Sequence, residues 1–532
     1  MNLLKKLFLK NIYASILLVS IVFFMIIALC LPIRFEENDD VMMLLFASGQ
    51  YTGTPEPFLV FINVIYGYFV SSLYCLTNKI EWYSVLFCLI HIFSFSIVIW
   101  GVVTKKTSKI LRILFVLLFL SIEIKLILFL QFTTTSAIAC LAGIVMLSKE
   151  KYYQKSIGVL FLIIGSLIRF EVFALVILVA SPLLVYLIRD GKDNPVLCIR
   201  NKSLICITFV LLFAILFKFV DTSMYNSFPD WKYYKEYNSV RGKINDNPNV
   251  IKAVGKLPKG VTNNDYQLLL DFFQDARVMN LNQLTRINKV IDNVDFTQKL
   301  HNVFSLRHYT GFLSLMVFMS VLFSIYSSKN KVYLIVSLLM FILLLSYIAL
   351  DGSLKYRVFL SALLIFCYSQ YFLAELENQN VIFMSFFSIS ILVFIVLFNS
   401  RTNKINKINA TYRTDIFVFQ TDIINRYFDR YKTSLVPVSG EYKIECLSPF
   451  KITETNKFRK MYFGGWLTTI PYNKMQFDNF DDLKNKQAIF ISKAYYVFFV
   501  DMLQQAYKVH YGVTVKPVVL LANSNYIVFK LN

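Results

Sequence analysis

The chain has 532 residues, of which 57% are hydrophobic, and its formal net charge at pH 7 is +21. This composition excludes a soluble globular protein, because the apolar residues form blocks of about 20, the length that crosses a hydrocarbon core of roughly 30 Å. It also excludes nucleic acid as the expected partner, since the lysines and arginines fall in short clusters between the apolar blocks. The sequence therefore predicts an α-helical polytopic membrane protein.

The first predicted helix is the apolar run from Ile12 to Ile33. Three lysines precede this run, and cytoplasmic loops carry the excess of basic residues, so we expect a cytoplasmic N-terminus. The run is longer than the core of a signal peptide and has no cleavage site of small residues, which predicts a helix that stays in the membrane. Residues 34–80 then form the first extracytoplasmic loop.

Four carboxylates open this loop within a stretch of five residues: Glu36, Glu37, Asp39 and Asp40. One interpretation is the solvated polar end of a helix, which composition alone favours because runs of charge are usually solvated faces. The other interpretation is chemical. A solvated carboxylate is ionised at pH 7, so it can accept a proton from a hydroxyl group, and it can also bind a divalent cation.

The run 58–76 is apolar but includes one Asn, one Gly and two Ser. If this run crossed the membrane, the basic residues at 105–112 would lie outside, against the usual distribution of positive charge. We therefore predict that it lies along the outer surface as an interfacial segment. The helix at 82–103 is then the second span.

Nine more predicted spans bring the total to eleven, at about 110–130, 132–147, 156–168, 171–188, 203–220, 309–326, 332–350, 357–374 and 381–399. Their alternation leaves a long polar loop, 221–308, on the outside. Within this loop the aromatic, mixed-charge stretch 228–242 predicts an ordinary packed loop more than a sugar-binding surface.

The last part of the chain, 400–532, has a different pattern. Short β-like runs at 415–419, 488–492, 517–521 and 526–531 accompany a helical stretch near 493–508. This pattern predicts a small extracytoplasmic α/β domain after a membrane domain at 1–399.

Polar residues in or beside the spans are candidates for substrate binding. Arg169, at an outer turn, could clamp a lipid phosphate or be a snorkelling arginine paired with an acid. Glu123 and Lys125 lie within a span, so they could line an outward-facing cleft or form buried structural pairs. The remaining candidates are basic side chains at outer junctions: Arg307, His308, Lys355 and Arg357.

The stretch NDDVMMLLFASGQYTGTPEP resembles the first extracytoplasmic loop of the GT-C superfamily of membrane glycosyltransferases. That loop has an acidic pair, a short helix, a turn with a small residue and Gly, and a Pro. Here these are Asp39–Asp40, the helix to Ala47, and Ser48–Gly49, followed by prolines. The family also has interfacial helices before its second span and a long outer loop between spans seven and eight, and it often ends in an extracytoplasmic domain.

This resemblance implies an inverting glycosyltransferase of a bacterial plasma membrane. It would transfer a sugar from a polyprenyl-phosphate carrier to a cell-envelope glycan, lipid or protein on the outer face. By resemblance Asp39 would be the catalytic base, and Asp40 would orient the acceptor or a divalent cation. The alternative is an envelope polysaccharide polymerase, for which we expect no acid pair after the first span, or a flippase-type transporter, for which we expect repeated halves.

Labelling with a cysteine reagent from outside tests the predicted orientation. A cysteine introduced at Asn78 or within 221–308 should react, whereas one introduced at Lys106 or Lys151 should not. Reaction at Lys106 would contradict the interfacial assignment of 58–76 and the topology built on it.

Overall fold

The computed structural model describes residues 12–189, 202–247, 257–292, 310–327, 329–351, 354–375, 381–438, 441–451, 457–473 and 480–532. The helices of its first half are α1 (Ile12–Cys30), α2 (Asn38–Ala47), α3 (Val64–Leu76), α4 (Trp82–Thr104), α5 (Lys109–Leu128), α6 (Phe132–Leu147), α7 (Tyr152–Ile168), α8 (Phe170–Arg189), α9 (Lys202–Asn226) and α10 (Pro229–Asp246). Those of the second half are α11 (Asn263–Leu270), α12 (Leu281–Asp292), α13 (Thr310–Tyr326), α14 (Lys331–Asp351), α15 (Tyr356–Leu373), α16 (Val381–Thr411), α17 (Phe417–Tyr431), α18 (Phe480–Lys486) and α19 (Lys493–Tyr511). A helical multi-pass membrane protein with a small C-terminal α/β domain is confirmed.

A helix forms at each of the eleven predicted spans. Seven of these, α1, α4, α8, α9, α14, α15 and α16, are long and apolar enough to cross a membrane. The helices α6, α7 and α13 have 16, 17 and 17 residues, which is short for a span. The remaining helix, α5, is also not among the seven, because charged side chains interrupt its apolar run.

The predicted interfacial segment 58–76 forms the 13-residue helix α3, preceded by irregular chain with bends. Thirteen residues rise only about 20 Å, so α3 is too short to cross a hydrocarbon core. The Asn63 side chain caps α3 by accepting a hydrogen bond from the backbone N–H of Ile65.

The centre of the bundle is α6, which is buried along its whole length. Small residues let α7 approach it closely: a Cβ on Gly158 would lie 2.8 Å from the carbonyl oxygen of Gly143. This tight helix pair fixes two points at one end of the bundle, Phe132 at the start of α6 and Arg169 just after α7.

The predicted first extracytoplasmic loop, residues 34–80, is called the acidic loop below, and it is attached to that same end of the bundle. Strand β1 (Arg34–Phe35) pairs in parallel with β2 (Phe129–Leu130), and the Glu36 N–H donates to the carbonyl of Leu130 at 3.0 Å. The short helix α2 follows directly. Its position therefore depends on the segment that joins α5 to α6.

Helices α10, α11 and α12 form a compact unit, the helical cap (229–247 and 257–292), within the segment predicted as a long loop. Residues from all three helices pack in one small core that includes Tyr237, Tyr266 and Ile287. The cap lies beside the acidic loop, because Lys235 donates a hydrogen bond to the carbonyl of Val60 at 2.7 Å.

The C-terminal domain contains a four-stranded sheet of β3 (Ser434–Pro437), β4 (Gln487–Ser492), β5 (Pro517–Ala522) and β6 (Tyr526–Leu531). The strand order is β3-β4-β6-β5, with β3 parallel to β4 and the other two pairs antiparallel. Along β4, Ile489 and Ile491 share a core with Phe499 of α19, whereas Phe490 belongs to the core of Ile424 in α17. The sheet thus lies between two helices.

Three of the predicted strands, β4, β5 and β6, and the helix α19 are confirmed. The predicted strand at 415–419 is wrong, because these residues lie in a π-helical turn, Tyr412–Ile416, that continues into α17. The buried residues of α17 recur at helical spacing: Gln420, Ile423, Ile424 and Tyr427. This helical period outweighs the β propensity of residues 415–419. Because α16 continues to Thr411, the expected boundary at residue 399 falls inside a helix.

Candidate active site

A cavity of about 590 Å³ lies where the acidic loop, the helical cap and the C-terminal domain meet. Its walls come from the start of α2, the turn after α7, α10, the start of α15 and the C-terminal domain, which contributes Pro437, Val438, Tyr442, Ile444 and residues 463–467. Segments from both ends of the chain therefore build one chamber at the end of the helix bundle.

Asp39 faces this cavity from the first turn of α2. The side chain is half-buried, not fully solvated as expected, and it has no hydrogen bond or ion pair with any described residue. Burial raises the pKa of Asp39, while the guanidinium groups of Arg357, Arg169 and Arg241 act in the opposite direction. Asp39 is thus an unpaired carboxyl group surrounded by positive charge.

Asp40 points away from the cavity. It is completely buried, and its Oδ1 atom accepts hydrogen bonds from the Tyr83 hydroxyl at 2.9 Å and from the backbone N–H of Phe132 at 3.0 Å. Desolvation raises the pKa of Asp40 well above its ordinary value, although the bond from Tyr83 opposes this. The structure thus places Asp40, which was expected to orient an acceptor, outside the cavity lining, where it joins α2 to α4 and α6.

Three of the predicted basic residues line the cavity with Asp39: Arg169, Lys355 and Arg357. Arg357 forms an ion pair with Glu37 at 2.7 Å, and Lys355 forms one with Asp246 at 3.0 Å. The guanidinium of Arg169 lies 4.6 Å from the ring centroid of Phe132, which holds it against the end of the bundle.

A fourth basic residue of the cavity, Arg241, was missed from the sequence. It lies on α10, where Trp231, Tyr234, Tyr237 and Arg241 are buried at helical spacing. This spacing is present in the sequence and could have predicted one buried helical face. The interpretation of residues 228–242 as a packed loop did not take it into account.

Glu123 and Lys125 do not line the cavity, contrary to one of the two expectations for them. The Oε1 atom of Glu123 lies 2.7 Å from Nδ1 of His91, whose Nε2 is 3.0 Å from the hydroxyl of Thr135. Lys125 donates to Glu36 at 2.7 Å. Both residues are buried structural partners, which is the alternative interpretation of a charge within a span.

Arg307 and His308, the other predicted substrate-binding residues, lie outside the described residues. The divalent cation is a poor fit to the described part of the chain, in which no group of three His, Cys, Asp or Glu side chains could hold a metal ion. Asp39 and Asp40 also point to different sides of α2, so these two carboxylates do not converge on one ion.

A second, smaller cavity of about 210 Å³ adjoins the first and shares Arg169 with it. It lies against the ends of α8 and α9 and is lined by Lys218 and Lys235. Lys218 donates to Glu171 at 3.2 Å, and burial lowers the pKa of Lys235 to about 8. Charged side chains, the two lysines together with Glu171 and Asp221, therefore continue from the main cavity toward the membrane helices.

No protein-family model and no curated protein matches this chain. Among solved structures, the crystal structure of ArnT from Cupriavidus metallidurans in the apo state is similar over 96% of this chain and 97% of that chain, with 12% sequence identity and a TM-score of 0.40. A likeness of this degree assigns neither family nor activity. What the protein does therefore has to follow from the chemistry of its cavity.

Replacement of Tyr83 by Phe tests the structural role of Asp40. The buried carboxyl group loses one of its two donors, and an unsatisfied buried polar group costs about 1–3 kcal/mol. The purified variant should unfold at a lower temperature than the wild type. Tyr68→Phe, on the exposed face of α3, is the matched control and should leave the unfolding temperature unchanged. Equal unfolding temperatures for both variants would contradict the role.

Proposed function

We propose that the protein is an inverting membrane glycosyltransferase in which Asp39 is the general base. The donor is a polyprenyl-phosphate-linked sugar, and the acceptor is a hydroxyl group of a cell-envelope glycan, lipid or protein. The observation that carries this proposal is the unpaired Asp39 carboxyl group, which shares a cavity with three arginines at one end of a membrane helix bundle.

The charge balance of the cavity supports this assignment of roles. Its acidic side chains are Glu37, Asp39 and Asp246, and the first and last are engaged by Arg357 and Lys355. Asp39 is left as the acid that is free to take a proton. A general base must reach the reacting proton directly, and an unpaired carboxyl group in a substrate-sized cavity meets this requirement.

The reaction is a single displacement at the anomeric carbon of the sugar. Asp39 accepts the proton of the acceptor hydroxyl while the acceptor oxygen forms a bond to that carbon. The bond from the anomeric carbon to the phosphate oxygen breaks, and its electron pair leaves with the polyprenyl phosphate. Attack from the face opposite the leaving group inverts the anomeric configuration.

Arg169 is the proposed ligand of the departing phosphate. It is shared by the main cavity and by the smaller cavity that lies against α8 and α9, so a lipid-anchored phosphate can reach it from the membrane side. An arginine offers two parallel N–H donors to a phosphate, and their electrostatic contribution grows as negative charge develops on the leaving oxygen. Lys218 and Lys235 add positive charge along this approach.

The C-terminal domain supplies an aromatic side chain to the wall of the cavity. Trp466 lies in the cavity wall, with its ring centroid 5.0 Å from that of Phe61 in the acidic loop. Flat apolar faces of this kind suit a sugar ring, whose C–H groups form an apolar face of their own. This gives the C-terminal domain a direct part in substrate binding.

Asp39→Asn is the decisive variant, because an amide cannot accept the proton. A general base contributes roughly 10²–10⁴-fold to the rate, so sugar transfer by the purified variant should fall by that factor. The unfolding temperature should stay close to that of the wild type, since Asp39 has no partner among the described residues. Transfer is measured by mass spectrometry of the glycosylated product, with the donor identified from lipid-linked sugars that accumulate in a deletion strain.

Near-normal transfer by Asp39→Asn would remove the proposed base. Movement of a lipid-linked sugar between leaflets without its consumption would instead favour the flippase-type alternative. Asp422→Asn is a suitable control, because this acid lies on the exposed face of α17 in a surface pair with Arg426.

The pH dependence of transfer gives an independent test. Asp39 acts in its ionised form, and burial raises its pKa, so kcat/KM should fall with acidification at a higher pH than for an ordinary aspartate. Arg357 is the largest opposing charge, and its replacement by Gln removes a group that lowers the pKa of Asp39. The acidic limb of the Arg357→Gln profile should therefore move to higher pH. A limb that stays in place or moves to lower pH would contradict the assignment.

A further inference from the structure

Arg241 is a buried cation with no acidic partner within ion-pair distance in the described part of the chain. Only 7% of the residue is exposed, and it lines the main cavity. Its Nε and Nη2 atoms donate to the Asn238 side-chain oxygen at 3.0 and 2.9 Å, and its Nη1 donates to that of Asn245 at 3.2 Å. Both acceptors are neutral amides, so the guanidinium charge is held in place but not neutralised.

The other basic side chains of the cavity differ from Arg241 in this respect. Arg357 lies 2.7 Å from Glu37, Lys355 lies 3.0 Å from Asp246, and Arg169 lies 3.9 Å from Glu171. No carboxylate of the described chain comes within 4.0 Å of Arg241, although Asp39 and Asp246 act on it at longer range. A buried charge without a close counter-ion is costly, and an anionic ligand would supply one.

The donor geometry of Arg241 leaves room for such a ligand. A guanidinium has five N–H donors, and the two asparagines use three of them. One donor on each terminal nitrogen remains. Donors on the two terminal nitrogens of a guanidinium can bind the paired oxygens of a carboxylate or a phosphate.

The wall beside Arg241 is built from two distant segments. The ring centroid of Phe272, in the helical cap, is 5.9 Å from the guanidinium carbon, and Phe272 has a left-handed backbone with φ of 56°. Gly464 and Gly465 of the C-terminal domain pack on it so closely that a Cβ on Gly464 would lie 2.2 Å from the Phe272 carbonyl oxygen. Gln274 reinforces this contact by donating to the Gly465 carbonyl at 3.2 Å. Strained backbone of this kind concentrates at ligand sites.

We propose that Arg241 is a second anion subsite of the cavity, which binds a carboxylate or phosphate group on the transferred sugar or on the acceptor, separate from the carrier phosphate. This inference rests on the proposed function, because that function assigns the carrier phosphate to Arg169. Arg169 belongs to the cavity that continues toward the membrane helices, whereas Arg241 comes from the cap and faces the C-terminal domain. The substrate class is therefore an acidic or phosphorylated sugar unit.

Ligand-induced thermal stabilisation of the purified full-length protein tests the subsite. The probes are glucuronate and inorganic phosphate for the anionic group, glucose for the neutral ring, and polyprenyl phosphate for the carrier. Glucuronate and phosphate should raise the unfolding temperature saturably, and glucose should have a much smaller effect. Arg241→Gln should weaken glucuronate binding about tenfold or more, as expected for the loss of hydrogen bonds from a charged donor.

Two further variants separate the subsites. Arg241→Lys keeps the charge, and thus the fold, but it should also weaken glucuronate binding because the paired donors are lost. Arg169→Gln should weaken polyprenyl phosphate binding and leave glucuronate binding intact. Arg426→Gln, an exposed arginine with an acidic partner, is the matched control and should change neither.

Equal binding of glucuronate by the wild type and both Arg241 variants would overturn the proposal, and so would equal stabilisation by glucose and glucuronate. Loss of polyprenyl phosphate binding in Arg241→Gln to the same degree as glucuronate binding would show one shared anion site and also overturn it. If Asp39→Asn retains transfer while glucuronate binding still depends on Arg241, the proposed base fails and the anion subsite stands.

Discussion

The buried carboxyl group of Asp40 fixes the geometry on which the site depends. It accepts hydrogen bonds from Tyr83 of α4 and from the backbone at the start of α6, and these two bonds determine how α2 is rotated about its own axis. Successive residues of a helix are turned by about 100°, so anchoring Asp40 inward directs Asp39 toward the cavity. The adjacent acids thus lie in different surroundings, one anchoring the helix and the other facing the cavity.

The charged side chains of the cavity fall into two groups, those with a close partner of opposite charge and those without one. Pairing of Glu37 with Arg357 and of Asp246 with Lys355 keeps two acids and two bases in defined positions at the cavity rim. Among the described residues of the cavity, Asp39 and Arg241 have no close partner of opposite charge, which leaves their charges available to ligands. Charges in a partly desolvated chamber interact more strongly than in water, so under the proposed function these two groups would have the largest influence on what binds and how it reacts.

The sequence predicted the helices well because their main determinant, a long apolar run, is a property of one segment. The acidic loop and the basic residues Arg169, Lys355 and Arg357 could also be selected, since charge beside a span is conspicuous. The strand predicted at 415–419 failed because five residues cannot distinguish a β period from a longer helical one.

Tertiary partners could not be predicted in the same way. Glu123 and Lys125 are paired with His91 and Glu36, which lie far from them in sequence. Arg241 reaches the cavity through the packing of α10, and the wall formed by Gly464 and Gly465 depends on contact between the cap and the C-terminal domain. Such contacts are set by the folded arrangement of several segments and by no local pattern.

The construction of one chamber from both ends of the chain has a consequence for biosynthesis. Asp39 enters the membrane region early in translation, but the wall that includes Gly465 and Trp466 is synthesised near the end. At roughly 5–20 residues per second, tens of seconds separate the two events. During that interval the nascent protein contains Asp39 but not the cavity wall formed by the C-terminal domain. The complete cavity therefore forms only after the membrane helices have been synthesised.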